Sequence, residues 1–390
     1  MNMKSVTLAL TCPALLLVAC NAFQSSSSDS GTNNSSSSTP GAPPAATPPT
    51  SPTPFPVVGD VPIIPSNFDV NAYISGVKDQ PVAGVCSPDK TGSAAPDVVG
   101  AFRFLCNASH NLFDDPIVYP GQSGASHLHT FFGNTKANAN STYDSLRTTG
   151  DSTCSGGPIN RSAYWIPSMF DGYGKVVMPD YVTIYYKRRP STDPECKRQG
   201  KDCVALPRGL RMVFGYNMAK LPTDPTQMKA KWMCENGFAA GGTVEHSTIG
   251  AAACPTNEKV GSGFSTPDCW DGVNLDSADH RSHLSYGSYG SWGYYKCPTT
   301  HPHVIPQFTM KAWYTHQGPQ DLANWYLSSD RMQGMPVLAN GSSFHSDWFG
   351  AWDDDIMTEW HDYAIERLLN CSDGNMGSGR SLNRPATFSW

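Results

Sequence analysis

The stretch Asp115-Pro-Ile-Val-Tyr-Pro-Gly-Gln-Ser-Gly-Ala-Ser-His-Leu-His-Thr-Phe-Phe-Gly-Asn134 sets two histidines inside a turn-bounded apolar segment. Read as a β-strand, its period of two puts His127 and His129 on one face and Leu128 on the other. Working outward, the same short strand-like pattern returns at residues 98–106, 164–170, 181–187, 210–215, 282–286 and 304–314, each bounded by turn residues. In residues 181–187, Tyr181, Thr183 and Tyr185 fall on one face and Val182, Ile184 and Tyr186 on the other. Residues 356–371 alone have helical spacing, with Asp353, Asp354 and Asp355 supplying acid at the N-terminus. Many short strands without βα alternation predict a mainly β fold. The expectation is an antiparallel β-sandwich, jelly-roll-like, with one C-terminal helix and long disulfide-linked loops.

Composition agrees with a loop-rich domain. The 390 residues include 35 Gly and 32 Pro, and only 15% are charged, for a net charge of -6. That balance gives no basic surface for phosphate, so no nucleic-acid partner is expected. The N-terminus, with Lys4, a short apolar run and Leu17-Val-Ala-Cys20, has the pattern of a bacterial lipoprotein signal. It predicts cleavage after residue 19, lipidation of Cys20, and a membrane partner reached through that anchor at the cell envelope or surface. The alternative is an ordinary secretory signal; either way the chain is exported.

Five regions follow: the signal at 1–19, a Ser/Pro-rich disordered tether at 20–59, a transition at 60–97, one β-rich domain at 98–372 and a loose tail at 373–390. Without Cys12 and Cys20, ten cysteines remain, which in an oxidising compartment reads as five disulfides. Cys196 and Cys203, flanking a basic loop, are one expected pair.

Four blocks carry the candidate chemistry. His127 and His129 can offer ring nitrogens to a metal, or a general base and its helper; hydrogen-bonded structural roles are the plain alternative. Asp271 to His283 lacks the spacing of a calcium loop, leaving Asp279, Arg281 and His283, with Tyr286 beyond them, as orienting, anion-steadying, base and acid groups. His301 and His303 flank Pro302, and an extended segment would put His345 and Asp347 on one face.

Asp115-Pro-Ile-Val, Ser126-His-Leu-His129, Cys269-Trp-Asp-Gly-Val-Asn-Leu-Asp-Ser-Ala-Asp-His-Arg-Ser-His283, Cys297-Pro-Thr-Thr-His-Pro302 and His345-Ser-Asp-Trp-Phe-Gly350 together resemble an exported domain-of-unknown-function family, DUF1996. The resemblance covers roughly residues 98–372. It implies histidines at 127, 129, 280, 283, 301 and 345, departs from the family pattern at His303, and carries no assigned reaction.

The expected function is a His-centred enzyme that acts on extracellular polysaccharide as a hydrolase or lyase. His127, His129, His283, His301, His345, Asp279, Asp347, Tyr286 and Arg281 are its candidate catalytic residues, with Arg281 or Arg211 facing a uronate carboxylate. A divalent metal is the expected cofactor, on His127, His129 and His283. The alternative is a glycan-binding or metal-stabilised structural module without catalysis.

Overall fold

The computed structural model describes residues 56–80, 86–88, 99–197, 202–239, 244–289 and 295–385. The expected signal, Cys20, the tether up to residue 55, Phe388 and Trp390 lie outside the described residues. Alternating β-branched and aromatic side chains commit residues 181–188 to a strand, and Val182, Ile184 and Tyr186 are fully buried while Thr183 and Tyr185 are not. This strand is central to a seven-stranded sheet.

The longer strands are β1 (Gly100–Cys106), β2 (Ala108–Leu112), β3 (His129–Gly133), β4 (Ala163–Pro167), β5 (Tyr181–Arg188), β6 (Arg211–Gly215), β7 (Val260–Ser265), β8 (Gln307–Tyr314), β9 (His345–Phe349) and the shorter β10 (Leu369–Cys371). One sheet has the order β6-β9-β4-β3-β2. The other runs from the short strand Met233–Cys234 through β7-β8-β5-β1-β10 to Cys86–Pro88. Pairing is antiparallel throughout both sheets except between β10 and β1.

The two sheets pack face to face as a β-sandwich. Phe308 of β8, fully buried, meets Tyr186 of its own sheet at 4.9 Å and reaches across to Trp348 at 5.2 Å, Phe214 at 5.7 Å and Tyr164 at 6.4 Å. A second apolar cluster lies on the other face of the five-stranded sheet. Phe131, Trp165 and Phe349 are covered there by Ile117, by Ile64, and by Tyr143 and Leu146 of helix α1 (Tyr143–Thr148). Both faces of this sheet are therefore buried.

The late helix is shorter than its sequence pattern implies. Helix α2 (Asp354–Trp360), capped by the Asp353 carboxylate on the Ile356 N–H at 3.2 Å, passes into a wider turn over His361–Ile365. Leu368 then turns to φ 58°, and Leu369–Cys371 becomes strand β10. Pairing with β1 and the Cys86–Cys371 disulfide compete with helix at this end. Gly100 permits the approach, since a Cβ there would sit 2.2 Å from the Ile365 carbonyl oxygen.

The segment after residue 372, expected as a loose tail, is pinned through residue 382. Arg380–Leu382 pairs with Ile74–Gly76, Arg380 meets Glu359 in an ion pair, and Leu382 is buried. Among the described residues five disulfides form, Cys86–Cys371, Cys106–Cys154, Cys196–Cys203, Cys234–Cys254 and Cys269–Cys297. Five such bonds mark an oxidising, extracellular type of environment. Among the described residues no helix is long and apolar enough to cross a membrane.

Phe308→Ala is expected to cost about 3–5 kcal/mol, because it opens a cavity between well-packed sheets. Urea unfolding of the purified domain measures this as a lower midpoint with unchanged slope.

Candidate metal centre

The site is built on the outer face of the five-stranded sheet. Antiparallel register pairs His129 with Pro167, and Asp347 with both Trp165 and Val213. Strand alternation in β9 sends Trp348 into the core between the sheets, which leaves His345, Asp347 and Phe349 on the outer face. Strand β3 likewise gives Phe132 to the inner core and His129 and Phe131 to the outer face. The sequence placed His127 in that strand as well. The ladder instead starts at His129, and His127 lies on the preceding bend.

That bend is held down by carboxylates. Asp114 accepts from the Ser123 hydroxyl and the Gly124 N–H through Oδ1, and from the Ala139 N–H through Oδ2, each at 2.9 Å. Asp115 Oδ1 accepts from the Ile117 and Val118 N–H groups at 2.8 Å. The loop thereby folds His127 back over the sheet. The His127 ring centre lies 4.2 Å from that of His129 and 5.1 Å from that of His345, and the last two are 5.9 Å apart.

One ligand atom from each of His127, His129 and His345 lies within 4.8 Å of the other two, and the same holds for Asp115, His129 and Asp347. Backbone carbonyls fix two of the tautomers. His129 Nδ1 is 2.9 Å from the Asp114 carbonyl oxygen and His345 Nδ1 is 2.9 Å from that of Ser343. A carbonyl only accepts, so both Nδ1 atoms carry the proton and both Nε2 atoms keep a lone pair. This is the outer support that metal-bound imidazoles use.

The Nε2 atoms of His127 and His129 and both oxygens of Asp347 are buried without a hydrogen-bond partner. An orphaned buried polar group costs about 1–3 kcal/mol, so the cluster is unfavourable as it stands. Ligands on one ion at about 2.1 Å lie roughly 3–3.5 Å apart, so a small inward rotation of these side chains would close a shell. Three imidazoles with carboxylates suit a first-row transition ion better than calcium.

Electrostatics point the same way. Burial, reinforced by His129 and His345, lowers the His127 pKa well below the ordinary imidazole value. Burial also lowers that of His129, although Asp115 and the Asp114 carbonyl oppose it. For His345, burial and then His129 bring it down to about 3. Asp347 is pushed well above the usual carboxyl range by burial and then by Asp115, with Arg281 opposing. Neutral imidazoles at neutral pH are the ligand form a metal requires.

Above the cluster opens a cavity of about 330 Å³ lined by Asp115, Tyr119, His127, Tyr216, Asn217, Asp279, His280, Arg281, His345 and Asp347, among others. The structure thus brings together His127, His129, His345 and Asp347, with Arg281 and Asp279 on the wall. The other expected residues stand elsewhere.

His283, placed by the sequence in the metal set, uses both nitrogens. Its Nε2 donates to the Arg211 carbonyl at 2.8 Å and its Nδ1 meets the Ser277 hydroxyl at 2.9 Å, fastening the 277–283 loop to β6. His345 stands at the cluster instead. His301 Nε2 donates to the Ser282 carbonyl at 2.9 Å on an exposed turn. The Tyr286 hydroxyl donates to the Ser265 carbonyl at 2.9 Å in a neighbouring chamber. Arg211 pairs with Asp276 at 3.2 Å, and His303 packs on Trp270. Asp271 accepts from the Val273 and Asn274 N–H groups, as a turn former does. Asp115 was missed as a site residue; the acidic pair Asp114-Asp115 directly before Pro116 was the available signal.

Residues 115–352 match the domain of unknown function DUF1996. The chain belongs to this family. No curated protein and no solved structure matches it. The DUF1996 match opens on Asp115 and closes on Trp352, so all five clustered side chains fall within it.

In metal-free protein, stability is expected to fall as pH drops from 6.5 towards about 3. The unfolded chain takes up a proton at His345 near 6.5 that the folded chain refuses until about 3. Asp347, raised in the fold, acts in the opposite sense and loses its contribution as pH rises above 3.8. Urea midpoints against pH, with chelator present, should fall less steeply between 6.5 and 3 in His345→Gln, the rest of the slope coming from His127 and His129, which are lowered too.

Proposed function

We propose that this DUF1996 chain is an exported, metal-dependent enzyme acting on extracellular polysaccharide, by hydrolysis or β-elimination. The observation that carries the reading is the convergence of three imidazoles with the orphaned Asp347 carboxylate, buried at the base of an open cavity. His283 and His301 engage both ring nitrogens in fastening loops, whereas the Nε2 atoms of His127 and His129 are buried in the cluster without a partner.

His127, His129 and His345 would hold the ion through Nε2, with Asp115 and Asp347 beside them. Bound there, a divalent ion supplies Lewis-acid activation of water or of a sugar hydroxyl. Asp347, with Oδ2 4.0 Å from His345 Nε2, would take or return a proton at the cavity base. Tyr119, Tyr216 and Asn217 give the cavity the mixed aromatic and amide lining that sugar rings use. Leu17-Val-Ala-Cys20 and the Ser/Pro-rich segment after it support a lipid-anchored envelope lipoprotein whose tether gives reach to surface glycan.

A metal-stabilised module without catalysis is the second reading. It is favoured by the position of His129 and Asp347 in the sheet itself, where an ion would brace the covering loop.

Metal analysis after equilibration and dialysis should find about one transition ion per chain, with His127→Ala, His129→Ala or His345→Ala weakening binding at least about tenfold. His283→Ala should retain the ion and lose stability instead. Turnover on a polysaccharide panel, abolished by chelator and restored by the ion, separates enzyme from module. Failure to retain zinc, copper, manganese or iron overturns the metal centre.

A further inference from the structure

The cavity over the cluster does not end at the cluster. A second chamber of about 480 Å³ adjoins it, and the two share Asn217, Asp279 and Arg281 as a common wall. Either chamber alone falls in the size range that encloses a small ligand. Together they form a cleft for adjoining units of a chain, with the cluster at one end.

Arg281 stands at the junction. Its guanidinium donates to the Tyr216 carbonyl at 3.1 Å and more weakly to that of Gly215 at 3.4 Å, which anchors it to the end of β6. A guanidinium has five N–H donors, so these two contacts leave others for the cleft. Among the described residues no carboxylate oxygen lies within 4.0 Å of it. Asp279, the exposed acid on the same wall, is engaged through one oxygen by its own loop. Its Oδ1 accepts from the Ser282 N–H at 2.7 Å, the Ser277 hydroxyl at 2.9 Å and the Arg281 N–H at 3.1 Å.

Beyond Arg281, Asn217, Gln227, Ser282 and Tyr286 offer amide, hydroxyl and aromatic surface, and Lys220 adds a second cation. Lys220 donates to Thr226 at 2.6 Å and keeps Asp224 at 4.0 Å, so its charge stays at the rim.

We infer that the substrate is an anionic polysaccharide lying across both chambers, with a uronate carboxylate or sulfate ester of the unit beside the reacting one held by Arg281. The inference rests on the polysaccharide reading of the same site and adds its substrate class. A fixed, anchored fork matches the planar carboxylate and the sulfate oxygens alike.

Calorimetric titration of the metal-loaded full chain with length-matched neutral, uronate-containing and sulfated oligosaccharides tests it. The anionic series should bind at least about tenfold tighter and weaken with added salt, and the stronger of the two anionic arms identifies the charged group. Arg281→Met should abolish the preference while leaving metal content unchanged. Arg281→Lys, which keeps the charge and loses the fork, should keep part of it and covers the case in which the methionine variant unfolds. Equal binding of neutral and anionic chains, or a preference that survives Arg281→Met, overturns the inference. Anionic preference without turnover of any glycan overturns the enzymatic reading alone, and turnover confined to neutral glycans overturns this inference alone.

Discussion

Strand β9 must satisfy two cores at once, and the rest of the site depends on that constraint. Its even positions give Trp348 to the sandwich, where it meets Phe308, and its odd positions give His345, Asp347 and Phe349 to the opposite face. A sheet buried on one face only would leave those odd positions in water. Here the 113–128 loop, helix α1 and residues near Ile64 cover the second face, so an imidazole and a carboxylate are buried by the same alternation that builds the core.

Covering that face has an electrostatic consequence. Asp114 is spent on holding the loop, with three hydrogen bonds, and its carbonyl orients His129. Asp347 has no such partners and lies buried near Asp115. Burial and then the neighbouring Asp115 raise the proton affinity of Asp347, and neutral imidazoles do little to offset this. A cation would relieve all of these conflicts together, and that is the physical ground for proposing a binding site here.

His280, His283 and His301 show what a satisfied histidine looks like in this fold. His283 and His301 each place a ring N–H on a backbone carbonyl and fasten a loop. His280 meets Asp276 at 2.9 Å while adopting φ 56°, which belongs to a tight turn at the cavity wall. These residues keep the 276–283 loop, and hence Arg281, over the sheet. Loop posts and ligand candidates share residue type and local sequence, so spacing could not separate His283 from His345.

The sequence by itself determined the class of fold and the raw material of the site. Period-two alternation in residues 181–188 and the absence of βα alternation specified a sandwich, because those signals are local and each strand carries them independently. Ten cysteines, read with the expected export of the chain, specified disulfides, and the histidine blocks named His127, His129, His345 and Asp347. Only the tertiary structure decided which of these meet. His345 joins His127 and His129 because β9 lies beside β4, which lies beside β3, and the first of these pairings joins residues as far apart in sequence as Trp165 and Asp347. The helix end at 360 was settled the same way, by the strand pairing of residues 369–371 and their disulfide, which outweigh a local helical pattern.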